Sequence, residues 1–218
     1  MRDVPALTES ELEALPIFPL PRVVFFPGTL LPLHLFEERY RDLAEWCTTN
    51  GPAAMAIALL EPGYEDDYEG RPAIRPVAGA GRIVAHERND DGTHDLVLHG
   101  VTRVSLEEFG TDQSFRIGKA TALRSHEGSL GNRDVTTLVT CATQVAQVVR
   151  RKHPDFSLGV GVADPPGLVA DTIADRFVAD PDKRQAILEA LDLGERVHLV
   201  TDAVGELLAM LASNDVSS

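Results

Sequence analysis

Residues 17–36 are almost wholly apolar, with Arg22 as their only charge. A run of this length is enough to cross a bilayer as a helix. Yet Pro16 precedes it and Pro19, Pro21, Pro27 and Pro32 punctuate it. Each internal proline removes a backbone donor and clashes with the preceding turn, so no continuous helix forms here. The segment must instead be short extended pieces joined by turns, one of them at Pro27-Gly28. Its apolar side chains belong to a folded core, and no membrane partner follows from it.

The rest of the chain changes period once. Residues 34–46 carry Leu35, Leu43 and Trp46 near one helical face, and Asn50-Gly51-Pro52 ends that helix. An apolar run over 53–60 has strand length, and 61–70 is an acidic, turn-rich loop. Strand patterns follow over 77–87, 95–106 and 113–123. Asn89-Asp90-Asp91-Gly92 marks a hairpin between the first two, and Gly100 marks a bulge in the second. Beyond residue 130 the apolar positions recur at helical spacing. Val135, Leu138, Val139, Ala142, Val145, Ala146 and Val149 predict an amphipathic helix, with Arg150-Arg151-Lys152 complementing the dipole at its C-terminal end. Asp164-Pro165-Pro166 and Asp180-Pro181 predict capped helix starts, and Leu193, Val197, Val200, Val204, Leu207 and Leu211 form a stripe for packing against other helices. The division expected is an N-terminal tail over 1–14, a β-rich lobe over 15–126, a helical bundle over 127–212 and a frayed tail over 213–218.

At 218 residues the chain can bury a core without disulfides or a structural metal. Cys47 and Cys141 are far apart and have no CxxC partner, which excludes a disulfide scaffold or a thiolate zinc site. They read as free thiols in a reducing, cytoplasmic compartment, and no basic, apolar leader opens the sequence. With 20 Lys+Arg against 34 Asp+Glu the net charge is −14, and both halves are acidic, which opposes nucleic-acid binding.

Catalytic signatures are missing. No phosphate-binding GxxxxGK[ST], nucleophile-elbow GxSxG or zinc-protease HExxH occurs, and both GxG triplets, at Gly79 and Gly159, lack a third glycine. His94 and His99 are close in sequence but have no placed carboxylate, so no metal or cofactor is expected. The residues point to a non-catalytic binding protein.

The stretch from Leu15-Pro16-Ile17-Phe18-Pro19-Leu20-Pro21 through Val23-Val24, Pro27-Gly28, Pro32-Leu33 and His34-Leu35-Phe36-Glu37 to Arg39-Tyr40 resembles the opening of the Lon N-terminal (substrate-binding) domain family. Gly79-Ala80-Gly81-Arg82, Asp91-Gly92 and Gly100-Val101-Thr102-Arg103 are similar to that family's glycine-hairpin section, and 174–196 to its helical part. The His-Leu-Phe-Glu form looks like the stand-alone bacterial members. This resemblance implies an α+β fold, with a β-rich PUA-like pseudo-barrel lobe followed by a C-terminal helical bundle. It implies a non-catalytic module that binds unfolded or hydrophobic protein segments, with a separate Lon-type protease as a further partner. ATP hydrolysis and proteolysis do not carry over, because neither the phosphate loop nor a serine–lysine setting is present. The candidate peptide-binding residues are Phe25, Phe26, Leu30, Leu31 and Phe36. The alternative is a pocket for a small molecule or a modified peptide, with no protease link.

Overall fold

The computed structural model describes residues 4–49, 51–67 and 70–216. They belong to two units, Met1–Leu123 and Arg124–Ser218. Among the described residues the first unit holds six strands: β1 (Leu15–Leu20), β2 (Leu30–Leu35), β3 (Ala54–Leu59), β4 (Val77–Arg88), β5 (His94–Phe109) and β6 (Arg116–Leu123). Their order is β2-β5-β4-β3-β1-β6, and β5 also pairs β6. That extra pairing closes β1, β3, β4, β5 and β6 into a ring, which leaves β2 as the terminal strand of the sheet.

Closure depends on the length of β5. Its residues 94–99 pair β2 and its residues 103–109 pair β6, one after the other along a single edge, while the opposite edge carries β4. The ring uses the second half of β5. The first half, the end of β4 and all of β2 project beyond it as a three-stranded extension. Register shifts interrupt the β4–β5 ladder at Ala80/Gly81, opposite Gly100, and at Ile83/Ala85. The first is the bulge that Gly100 announces.

The prolines of 17–36 fit this topology. Pro32 lies opposite Val97 on the terminal strand of the sheet, where its missing N–H forfeits no ladder bond. Between β1 and β2 the chain crosses close against the sheet. A Cβ on Gly79 would lie 1.9 Å from the Phe25 carbonyl oxygen, and one on Gly100 would lie 2.1 Å from that of Phe26. Only glycine permits either approach.

Alternation along the strands sends apolar side chains to two cores. Ala54, Ala56 and Ala58 join Leu15, Ile17, Ala78, Ala80 and Val104. Met55 and Ile57 join Phe18, Phe25, Leu96 and Leu98, together with Tyr40, Leu43, Ala44 and Cys47 of helix α2 (Glu38–Thr49). That helix starts later than its sequence pattern suggests. Pairing of His34 with Asp95 and of Leu35 with His94 keeps both residues in β2.

Residues 1–14, read from the sequence as a tail, contain a short helix α1 (Glu9–Glu13). Thr8 and Glu11 form a reciprocal capping box, each side chain bonding the other's backbone N–H. Arg82 of β4 ties this segment down. Its guanidinium donates to the carbonyls of Pro5 (2.9 Å), Ala6 (2.8 Å) and Pro52 (3.3 Å) and to both carboxylate oxygens of Glu11 (2.9 and 2.8 Å).

The second unit is helical: α3 (Asp134–Arg150), α4 (Pro166–Phe177), α5 (Pro181–Glu189) and α6 (Leu193–Val216). Val197, Val200 and Val204 of the predicted stripe are fully buried. Asp180 caps α5, accepting from the N–H groups of Asp182 and Lys183 at 2.9 and 3.0 Å. Asp164 does not cap α4. The proline pair places Pro165 at the cap position and Pro166 in the first turn, and the Asp164 carboxylate accepts from the Gly161 N–H instead. Asp192 caps α6 through the Glu195 N–H and also accepts from the backbone and hydroxyl of Ser129. These donors hold its carboxyl at about 2, below the usual 3.8. Helix α6 runs on through Val216, beyond residue 212, and residues 217–218 lie outside the described residues.

Candidate functional site

The three-stranded extension has one face packed on α2 and one face open. Cross-strand rows on this second face are Leu30–His99–Arg82, covered at Arg82 by residues 4–14, and the open rows Pro32–Val97–Ala85 and His34–Asp95–Glu87. The last two rows line a groove of about 430 Å³. Its floor is apolar at Pro32, Val97 and Ala85, and its far end is polar at His34, Asp95 and Glu87. The Nδ1 atom of His34 lies 2.8 Å from Asp95 Oδ1, and Asn89 donates to Asp95 Oδ2 at 2.9 Å. The Asn89 bond, with the His34 contact second, holds the Asp95 carboxyl below its ordinary range.

Of the five peptide-binding candidates none lines the groove, and two lie beside it. Leu30 is 59% exposed and Phe36 62% exposed, with the Phe36 ring stacked on His34 at a centroid distance of 6.1 Å. Leu31 is half-buried against the α2-side core. Phe25 and Phe26, at 2% and 0% exposed, lie in the interior, where they present no surface to a ligand. The sequence shows all five as apolar. Register and the chain crossing separate them, because alternate residues of β2 face opposite ways and 25–26 belong to the segment that crosses close against Gly79 and Gly100.

His94 and His99 are five apart on a strand and project to opposite faces. His94 is buried and stacks on His86, with their ring nitrogens 2.9 Å apart. Burial lowers the His94 pKa, assisted by the neighbouring His86 and Arg88 charges. Both ring nitrogens of His99 are buried and have no hydrogen-bond partner among the described residues. No group of three or more His, Cys, Asp or Glu among the described residues is placed to hold a metal ion.

The His34–Asp95 pair supplies a base and its orienting carboxylate, but no hydroxyl or thiol among the described residues bonds His34 Nε2. Burial pushes the Cys47 thiol up to about 12, which keeps it protonated.

The family model of the ATP-dependent protease La (LON) substrate-binding domain matches residues 14–205. The chain belongs to the Lon substrate-binding domain family. It is 24% identical over 212 residues to the Lon protease of Desulfosudis oleivorans, a match covering 95% of this chain and 26% of that protein. The Lon protease of Paraburkholderia phytofirmans is 26% identical over 202 residues, covering 91% and 25%. This Lon-type domain therefore spans about a quarter of the length of these relatives. Solved structures share the fold. A Lon N-terminal domain protein from Xanthomonas campestris superposes with a TM-score of 0.60 at 22% identity, covering 85% of this chain and 95% of that one. The N-terminal domain of a Mycobacterium avium complex Lon protease gives 0.65 at 15% identity, covering 88% and 98%. The α+β architecture agrees with that of these Lon N-terminal domains. Among the described residues, no helix is long and apolar enough to cross a membrane.

Proposed function

We propose that this Lon-type domain is a non-catalytic module that binds unfolded polypeptide segments along the β2–β5–β4 groove and presents them as clients to a separate Lon-type protease. The observation that carries the reading is an open, apolar-floored groove with Leu30 and Phe36 exposed beside it, on a member of a substrate-binding family. Aromatic and aliphatic side chains left exposed next to a concavity are the usual anchors for a partner. Because β2 ends the sheet, its outer edge also offers an extended chain backbone groups to pair with, interrupted at Pro32. Fluorescence anisotropy with labelled apolar peptides tests the reading. Binding should weaken about tenfold or more in the L30D/F36D double variant, each lost apolar contact removing on the order of 1 kcal/mol or more. Absence of binding across a broad peptide array, or binding indifferent to both substitutions, refutes it.

A second reading has one observation in its favour. The groove volume falls within the roughly 300–1,000 Å³ typical of small-molecule sites. Thermal-shift screening with metabolites separates the two readings, since only this one predicts a stabilising small ligand.

A further inference from the structure

A second cavity, of about 200 Å³, lies elsewhere on the first unit, and every charged residue lining it is an arginine. Arg39 comes from α2, Arg71 from the segment before β4 and Arg116 from the start of β6, with the rings of Tyr40 and Phe115 beside them. Such convergence is unexpected in a chain of net charge −14 with only 20 lysines and arginines. Like charges gathered in a concavity raise one another's energy unless an anion joins them.

The carboxylates at hand leave Arg71 and Arg116 underused. Arg116, whose side chain is only 8% exposed, donates to Glu108 at 3.3 Å and to the Pro72 carbonyl at 2.8 Å. A guanidinium has five N–H donors, so three remain without an acceptor among the described residues. Arg71 approaches the other oxygen of Glu108 only to 4.0 Å. A charge-assisted hydrogen bond is about 2.7–2.9 Å long, so one carboxylate stretched between two cations satisfies neither. Arg39 pairs with Glu37 at 2.9 Å and lies 4.7 Å over the Tyr40 ring. The Ser114 hydroxyl is committed to Asp42 at 2.6 Å, so it adds no donor for an incoming anion.

We propose that this cavity is an oxyanion-binding site, taking a carboxylate or phosphate group. The planar fork of Arg116 would receive the anion, and Arg71 at the mouth would complete its neutralisation. The site is separate from the groove and does not depend on the groove's function.

Nitrogen-15 NMR titration of the whole chain tests it with three probes: inorganic phosphate, N-acetylglycine and the uncharged N-acetylglycinamide. Phosphate or N-acetylglycine should shift the backbone amides of Ser114, Phe115 and Arg116, and the amide probe should not. A phosphate-only response assigns the site to phosphorylated small molecules, and an N-acetylglycine-only response to peptide carboxylates. Arg71→Ala, a half-exposed position with no hydrogen bond among the described residues, should leave the spectrum folded and weaken binding about tenfold. Arg71→Glu should abolish it. If neither anion shifts these amides, or if R71A and R71E bind as the native chain does, the proposal is wrong.

Discussion

Arg82 is the residue whose removal should reveal most about how the first unit is held together. All five of its N–H donors are used, three on carbonyls and two on the Glu11 carboxylate, and its side chain is largely buried. Arg82→Met keeps the aliphatic stem and removes every one of these bonds. Hydrogen bonds that involve a charged group contribute about 1.5–3 kcal/mol each, and all five here involve the guanidinium, so a simple sum exceeds 5 kcal/mol. That sum overstates the loss, because the Pro5 and Ala6 carbonyls and the Glu11 carboxylate regain water once the segment lifts away. The loss is capped by the docking free energy of residues 4–14, to which the half-buried Leu7 and Leu12 contribute apolar contact. About 3 kcal/mol is the reasonable figure, somewhat over a hundredfold in the opening equilibrium of this segment. Hydrogen exchange reads it directly at the Leu12 amide, which donates to the Thr8 carbonyl at 3.1 Å. Protection there should collapse in R82M while the β3 amides change far less. The same contact gives an acid signature. Bonding to Arg82 chiefly holds the Glu11 carboxyl at about 2, below its ordinary 4.5. The stabilisation from Glu11 is therefore complete above pH 4.5 and disappears as pH falls toward 2. Leu12 protection within twofold of the native value in R82M would refute this account of the clamp.

Three further outcomes follow from close contacts and buried groups. Gly79→Ala should cost about 3 kcal/mol or more in urea unfolding, because its Cβ would meet the Phe25 carbonyl, whereas Gly110→Ala, with nothing within 4 Å, should be nearly neutral. His99→Leu should raise stability by about 1 kcal/mol in the same assay, since it removes two buried ring nitrogens without partners. A thiol-reactive disulfide reagent at pH 8 should leave Cys47 unmodified in the native protein and label it fully in denaturant, as expected for a buried thiol pushed up to about 12.

Sequence pattern reaches as far as element type and stops where pairing decides. The prolines of 17–36 and the Asp91-Gly92 turn announce extended segments, and these become β1, β2 and the β4–β5 hairpin, with Gly92 at a positive φ of 81°. Gly79, Gly81 and Gly100 are visibly small, but nothing local says that the backbone of Phe25 and Phe26 crosses over them. The same gap explains the divided fate of the five apolar candidates, because whether Leu30 or Phe25 faces outward depends on His99 and Gly79, both far away in sequence. Thr8-x-x-Glu11 is a capping-box signature, so α1 was within reach of the sequence. The arginine cavity was not. Its three cations lie at positions 39, 71 and 116, and only the fold makes them neighbours.

The double use of one edge of β5 separates two properties that most barrels bind together. Ring closure resides in residues 103–109, while the groove rests on 94–99 and the strands beside them. The hairpin joining β4 to β5 can therefore be lengthened, trimmed or recoloured residue by residue without touching the seam that closes the ring. Binding preference becomes adjustable on a projecting arm, while stability stays with the closed ring.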